Sequence, residues 1–186
     1  NDVIARIRLH AGDRAGALEL LDESWKVSLE TGVAFAGPVV LGSIALATAD
    51  PGRRFDALCQ GEAVLNDGCA SHNHFRFYRD AIEVSLREQL WDTADGYASA
   101  LERYFGAEAS PWSDLFIARG RALTAAGRRS PEEAVLAQLR DYAGGLGIRA
   151  AVAGLDEALA DARRNLGRAS GRLRGSPAAV GKRDAP

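Results

Sequence analysis

Apolar residues recur three and four positions apart along most of this chain, and short stretches with Gly, Pro, Asp or Ser interrupt them. This spacing places the apolar side chains of each segment on one face of a helix. No sustained run alternates polar and apolar residues with the β-branched side chains of a half-buried strand. The pattern therefore predicts an all-α fold.

Start and stop residues predict the helix boundaries. The predicted helices cover residues 14–31, 35–49, 53–65, 72–89, 93–105, 111–126, 131–143 and 148–164. Ser130 and Glu133 have the spacing of a capping box, with Pro131 at the first helical position, so we expect the sharpest boundary there. Pro38 is tolerable only in the first turn of its helix, where its missing N–H leaves no bond unmade.

Alanines at a regular spacing indicate a repeat. They stand near the start of every second helix, in steps of 40, 37 and 40 residues, at Ala17, Ala57, Ala94 and Ala134. One helix hairpin cannot bury its own apolar face, so hairpins stack, with small residues where helices approach closely. We predict antiparallel helix hairpins stacked as a tetratricopeptide-like α-solenoid, closed by a C-terminal capping helix over 148–164.

Charge is distributed unevenly along the chain. Residues 163–186 carry seven Lys/Arg and one acidic residue, which leaves sixteen basic and twenty-four acidic residues before them. An acidic body argues against nucleic-acid binding by the folded part, because phosphate contacts need clustered cations. We predict a helical repeat domain over 1–164 and a flexible basic tail over 165–186, which has too little apolar content to order itself.

Two features concern the cellular location. Residues 31–49 form an uncharged run that approaches membrane-spanning length, but Gly37, Pro38, Gly42 and Ser43 interrupt it, so we predict a buried core helix and no membrane contact. The chain has only two cysteines, too few for a disulfide framework, which favours a reducing, cytoplasmic location.

Two stretches carry a family resemblance. SHNHFRFYRDAIE runs from Ser71 to Glu83, and PWSDLFIARGRAL runs from Pro111 to Leu123. They resemble the C-terminal tetratricopeptide-like region of bacterial class III adenylate/guanylate cyclases that also carry a signalling ATPase module, over roughly residues 1–145. The resemblance implies a regulatory or sensory segment, because the cyclase and nucleotide-binding motifs of that family lie upstream. It transfers no active-site residue to this chain.

The first helices of such hairpins line the surface that can receive a partner segment. On this basis we predict a partner-binding surface on the helices that follow Ser71 and Ser110, at Arg76, Phe77, Arg79, Asp80, Trp112, Asp114 and Arg119. The partner would be another protein or an upstream domain of the same chain. A second role stays open for Arg79 and Asp80, which could form structural ion pairs between repeats.

Potential metal ligands cluster at one place in the sequence. Cys69, His72 and His74 are close together, and Cys59 precedes them by ten residues. On a helix His72 and His74 point about 200° apart, so they could not both bind one ion. We predict no metal and no cofactor.

The sequence therefore predicts a non-catalytic interaction or regulatory region. One alternative is a small-molecule sensor, in which the stack closes over a ligand held by Tyr78, Trp112 and neighbouring arginines. A closed pocket would favour the sensor, whereas an open groove would favour a protein partner. An enzyme is the third possibility, and a metal bound at Cys69 and His74 would favour it.

Overall fold

The computed structural model describes residues 1–108 and 110–174, with side chains through Arg164 apart from Ala107. The described residues contain no strand, which confirms the all-α prediction. They form α1 (Asp2–His10), α2 (Arg14–Thr31), α3 (Val33–Ala47), α4 (Pro51–Asp67), α5 (His72–Arg87), α6 (Trp91–Phe105), a 3₁₀ turn (Gly106–Glu108), α7 (Pro111–Gly127), α8 (Glu133–Gly145) and α9 (Arg149–Arg174).

Side-chain caps form at the starts of α2, α4 and α7, but not at the start of α5, where Ser71 is the expected cap and makes no such bond. The Asp13 carboxylate accepts a hydrogen bond from the Gly16 N–H at 2.9 Å. Asp50 accepts in the same way from Gly52, with Pro51 at the first position of α4. Such caps satisfy N–H groups that have no partner within the helix. The sequence pattern predicted no helix before Asp13, so the structure adds α1 to the predicted set of helices.

The predicted capping box at Ser130 is wrong. Helix α8 begins at Glu133 without a side-chain cap, and the Ser130 N–H instead bonds the Ala125 carbonyl at 2.9 Å, which closes the end of α7. The capping box lies at the start of α7. There the Ser113 N–H donates to Ser110 Oγ at 3.2 Å, and the Ser110 N–H donates to Ser113 Oγ at 2.9 Å.

Pro38 lies in the second turn of α3 and not in the first as predicted, because the helix begins at Val33, two residues before the expected start. A proline there leaves the carbonyl four residues earlier without its helical donor. The Ala34 carbonyl is nevertheless paired, since it accepts from the Ala70 N–H at 2.9 Å and from Asn73 Nδ2 at 3.2 Å. Asn73 is fully buried and fastens the start of α5 to this proline-modified turn.

Each helix contacts the next one along the chain, and the odd-numbered helices also contact one another in order, from α1 through α3, α5 and α7 to α9. Three of the alanines that marked the repeat, Ala17, Ala57 and Ala94, are buried at helix contacts. Ala134 is exposed, and Leu136 is the buried residue of that turn. The fourth position of the predicted repeat is therefore wrong by about half a turn.

Helix α3 lies at the centre of the larger core. Its residues from Gly37 to Ala45 are all buried, and it contacts α1, α2, α4 and α5. Phe77 of α5 is completely buried here, against Gly61 of α4, where a Cβ atom would overlap its ring. Within the described residues, no helix is long and apolar enough to cross a membrane.

The last helix is longer than predicted. Helix α9 continues past Arg164 to Arg174, so the first part of the predicted flexible tail is helical. The remainder of that predicted tail, residues 175–186, lies outside the described residues.

Candidate interaction site

A buried polar network joins three odd-numbered helices. We call it the Asp80 network, and its members are Asp2, Arg6, Ser43, Arg76, Arg79 and Asp80. Asp80 of α5 is 1% exposed and pairs with Arg6 of α1. Its Oδ1 also accepts from Arg79 Nη2 at 2.8 Å. Because one carboxylate serves two guanidinium groups from different helices, it fixes α1 against α5.

Asp2 and Ser43 complete this network. Arg76 Nη2 donates to Asp2 Oδ2 at 2.8 Å, and Ser43 Oγ of α3 lies 2.7 Å from Asp2 Oδ1. Arg6 Nη2 donates to the same Ser43 oxygen at 2.6 Å. Burial alone would lower the pKa of Arg6, but the negative charges of Asp80 and Asp2 outweigh it and raise this pKa. Arg6 therefore stays charged inside the fold.

Arg119 makes the equivalent connection further along the chain. This residue of α7 is 3% exposed and pairs with Glu83 of α5. Its Nε donates to the Ala151 carbonyl of α9 at 2.9 Å. Gly154 leaves room for it, since a Cβ atom there would lie 3.0 Å from Arg119 Nη2. One side chain thus ties α5, α7 and α9 together.

Aromatic side chains surround a groove at the beginning of α5. The groove has a volume of about 430 Å³, and its lining residues are Ser71, His72, Phe75, Tyr104, Phe105 and Glu108. Exposed Phe35 meets the His72 ring edge-on at 5.6 Å, and Tyr104 stacks on His74 at 3.7 Å. We call this surface the aromatic groove.

The first two turns of α7 extend the same set of aromatic contacts. Phe75 packs edge-on against Phe116, with ring centroids 5.8 Å apart. The Arg79 guanidinium lies 5.9 Å from the centroids of both rings, where a cation is attracted to the π faces. Trp112, one turn before Phe116, is 50% exposed. Aromatic and cationic groups therefore continue from the groove onto α7.

The structure separates the predicted partner-binding residues into two groups. Phe77, Asp80 and Arg119 are buried, so they hold helices together and present no surface to a partner. Four others remain accessible: Trp112 and Asp114 are exposed, and Arg76 and Arg79 are partly exposed. Of the two residues for which a structural ion pair stayed open, Asp80 forms one between helices, with Arg6 of α1, whereas Arg79 pairs with Asp80 on the same helix.

Sequence reasoning missed half of the Asp80 network. Asp2 and Arg6 belong to the helix that the pattern did not delimit, and Ser43 lies in an otherwise apolar run. One signal was present: an acidic and a basic residue four positions apart form a favourable pair on a helix. The lone serine carried no signal, because its partners are distant in sequence.

The potential metal ligands do not converge. Cys69 Sγ lies 3.8 Å from His74 Nε2, but His72 packs on Phe35 and Cys59 is exposed elsewhere. No group of three or more His, Cys, Asp or Glu side chains among the described residues is arranged to hold a metal ion. Burial raises the pKa of the Cys69 thiol and lowers that of His74.

A second depression lies between α5, α7 and α9. Its volume is about 430 Å³, and its walls include Trp91, Arg87, Arg119, Glu157 and Asp161. Exposed residues form part of its rim, so it is an open cleft and not a closed cavity. Neither Tyr78 nor Trp112 lines it, which does not fit the ligand set predicted for a sensor.

No family model matches this chain, and neither does any curated protein or solved structure.

Proposed function

We propose that this chain is a non-catalytic helical-repeat region of the tetratricopeptide-like kind, which binds a protein segment for a larger bacterial signalling protein. By the resemblance of its α5 and α7 sequences, that protein is an adenylate/guanylate cyclase with an ATPase module. The partner is another protein or an upstream domain of the same chain, and the setting is cytoplasmic.

The order of helix contacts supports the repeat. Stacked hairpins place each first helix against the first helix of the next hairpin, and the second helix between them. Contacts from α1 through α3, α5 and α7 to α9 follow that order, with α2, α4, α6 and α8 bridging successive odd helices. Three buried alanines at the expected step give independent support.

The observation that carries the interaction role is the aromatic groove together with Trp112. Large aromatic side chains are costly to leave in water and are enriched where proteins bind one another. Here Phe35, Tyr104 and Trp112 are 74%, 41% and 50% exposed, and the Arg79 guanidinium lies 5.9 Å from the centroids of the Phe75 and Phe116 rings. A partner segment that combines an apolar side chain with an acidic one fits this surface.

A catalytic role has less support from the geometry. The strongest reactive pair is Cys69 with His74, and burial there disfavours both the thiolate and the imidazolium. A nucleophilic cysteine needs the opposite shift, towards a lower thiol pKa.

The test is to measure cyclase and ATPase activity of the longer polypeptide that carries this chain, with and without residues 1–186. We expect deletion to change the rate, and Trp112→Ala to reproduce a substantial part of that change. Phe55→Ala is the matched control, because Phe55 is also exposed, at 67%, but lies on α4, away from the groove. An unchanged rate after deletion, or equal effects of the two substitutions, would contradict the proposal.

A small-molecule sensor is the second candidate, with the cleft between α5, α7 and α9 as its ligand site, although an open cleft fits this role less well than a closed pocket would. Its size suits a small ligand, and Trp91 and exposed Arg129 supply an aromatic wall and a cation. A screen of nucleotides and amino acids by thermal unfolding tests this role. A compound that raises Tm in the wild type and not in Trp91→Ala would support it.

A further inference from the structure

Three arginines from three different helices converge on the C-terminal end of α3. We call Arg14, Arg54 and Arg87 the arginine cluster. Their guanidinium groups donate to consecutive carbonyls: Arg87 Nη1 to Leu46 at 3.0 Å, Arg14 Nη1 to Ala47 at 3.2 Å, and Arg54 Nη2 to Thr48 at 3.0 Å. The three positive charges therefore surround a single helix turn.

The negative charge at this place does not balance the cluster. Glu88 bridges Arg54 at 3.1 Å and Arg87 at 3.4 Å, and among the described residues it is the one carboxylate paired with these arginines. The end of α3 adds roughly half a negative charge from the helix dipole. Three cations thus face about one and a half negative charges.

The excess positive charge affects the protonation of one member of the cluster, Arg87. The pKa of Arg87 is lowered, first by burial and then by the positive charges of Arg54 and Arg14, which together outweigh Glu88. Arg54 is largely buried, and its Nε has no hydrogen-bond partner. A buried donor without a partner costs free energy, so the bonds to Thr48 and Glu88 leave Arg54 incompletely satisfied.

Capping of α3 alone does not require this arrangement. One cation near the last turn already complements the helix dipole, and each guanidinium has five N–H donors, of which a carbonyl contact uses one. Arg14 is exposed and the Arg87 side chain is 38% exposed, so a solute can reach the donors that face away from α3.

We infer that the arginine cluster is a binding site for an oxyanion, a phosphate or carboxylate group held by guanidinium forks from α2, α4 and α5. Planar guanidinium groups match such oxygens with two parallel hydrogen bonds. The anion supplies the missing negative charge and ties α2, α4 and α5 together around the end of α3. This site is separate from the aromatic groove, and so the inference goes beyond the proposed interaction role.

Thermal unfolding of the 186-residue chain tests this site. Phosphate, citrate and chloride are compared at equal ionic strength, so that general screening is the same in each. We expect phosphate or citrate to raise Tm by about 2 °C or more beyond chloride. An effect of phosphate alone assigns a phosphoryl group, and an effect of citrate alone assigns a carboxylate. Equal Tm in all three salts would overturn the inference.

Variants place the effect at the cluster. Arg87→Gln and Arg14→Gln should abolish the excess shift, whereas Arg53→Gln should keep it, because Arg53 pairs with Asp22 outside the cluster. If Arg87→Gln does not fold, the Tm shift of Arg14→Gln alone tests the site, since Arg14 is exposed. Calorimetric titration with the anion that shifts Tm should give roughly tenfold weaker binding for Arg14→Gln. The same affinity in Arg14→Gln and the wild type would exclude this site.

Discussion

The two halves of this molecule are built differently. From α1 to α6 a single continuous core surrounds α3, α4 and α5, and one residue of α7, Ile117, joins it. From α7 to α9 the buried apolar residues divide into two small clusters, one around Leu115 and Phe116 and one around Leu136 and Leu155. The large core can hold its helices without help, whereas each small cluster depends on its neighbours.

The polar contacts show the same contrast. The Asp80 network has several charged members that share partners, so every carboxylate meets more than one arginine. The second half relies on Arg119, which has one carboxylate partner and one carbonyl. An open cleft lies directly beside it. Local opening follows low packing and few buried contacts, so we expect α8 and α9 to open before α3 and α5.

Matched leucine truncations test this difference most strongly. Leu101 of α6 and Leu136 of α8 are both completely buried, but Leu101 belongs to the large core and Leu136 to a small cluster. Leu→Ala costs about 2–5 kcal/mol, and the cost is lower where the surroundings can collapse into the cavity. We expect Leu101→Ala near the top of that range and Leu136→Ala near the bottom, measured by urea unfolding.

Hydrogen exchange separates local from global effects in the same pair. Leu136→Ala should speed amide exchange in α8 and α9 and leave α3 and α5 protected, while Leu101→Ala should speed exchange throughout. Equal losses of unfolding free energy, with uniform exchange in both variants, would mean that the two halves unfold as one unit.

Two glycines give a second matched pair of smaller effect. A Cβ atom at Gly61 would overlap the ring of Phe77, which is completely buried and has no space to move. A Cβ atom at Gly127 would overlap Trp91, which is partly exposed at the edge of the cleft and can rotate outward. Overpacking a core costs about 1–3 kcal/mol, so Gly61→Ala should fall in that range.

Gly127→Ala should change the unfolding free energy by less than about 1 kcal/mol, because the higher helix propensity of alanine offsets the displacement of Trp91. Thermal and urea unfolding of both variants check this order. A larger loss in Gly127→Ala would show that the cleft wall is as rigid as the main core.

Local sequence rules predicted the fold well where a short segment decides its own structure. The cap at Asp13 and the bounds of α2 depend on neighbours within a few residues, and they were predicted correctly. The rules failed where residues distant in the sequence determine the local structure. Pro38 is tolerated inside α3 because Ala70 and Asn73 supply the missing donors, and no rule based on sequence spacing connects them.

The candidate site shows the same limit. Periodicity placed Arg79, Asp80 and Arg119 on the odd-numbered helices, but it could not show that Asp80 and Arg119 are buried. Burial of a charged residue depends on a partner that offsets the cost of leaving water, and for Asp80 that partner, Arg6, is 74 residues away. The place of Trp112 in the first turn of α7 was predicted because Ser110 and Pro111 set it locally, but its exposure was not.

The smallest predicted effect is a pH dependence of the unfolding free energy that arises in the first half of the molecule, from α1 to α6. His74 of α5 stacks on Tyr104, its Nδ1 is buried without a partner, and burial lowers its pKa below the usual 6.5. Above pH 7 the imidazole is neutral in both the folded and unfolded states, so its effect on stability is constant. As pH falls below about 6.5, the unfolded state binds the proton first, and the unfolding free energy decreases until pH passes the lowered folded pKa.

His74→Phe keeps an aromatic ring on Tyr104 and removes this titration. Urea unfolding at pH 7.5, 6.5 and 5.5 should therefore show a smaller loss of stability on acidification in His74→Phe than in the wild type. Because His74 lies at the α5–α6 contact, the acid-induced rise in amide exchange should be concentrated there and be weaker in α8 and α9. If both proteins lose the same unfolding free energy over this range, the buried imidazole does not contribute to the acid sensitivity of the first half.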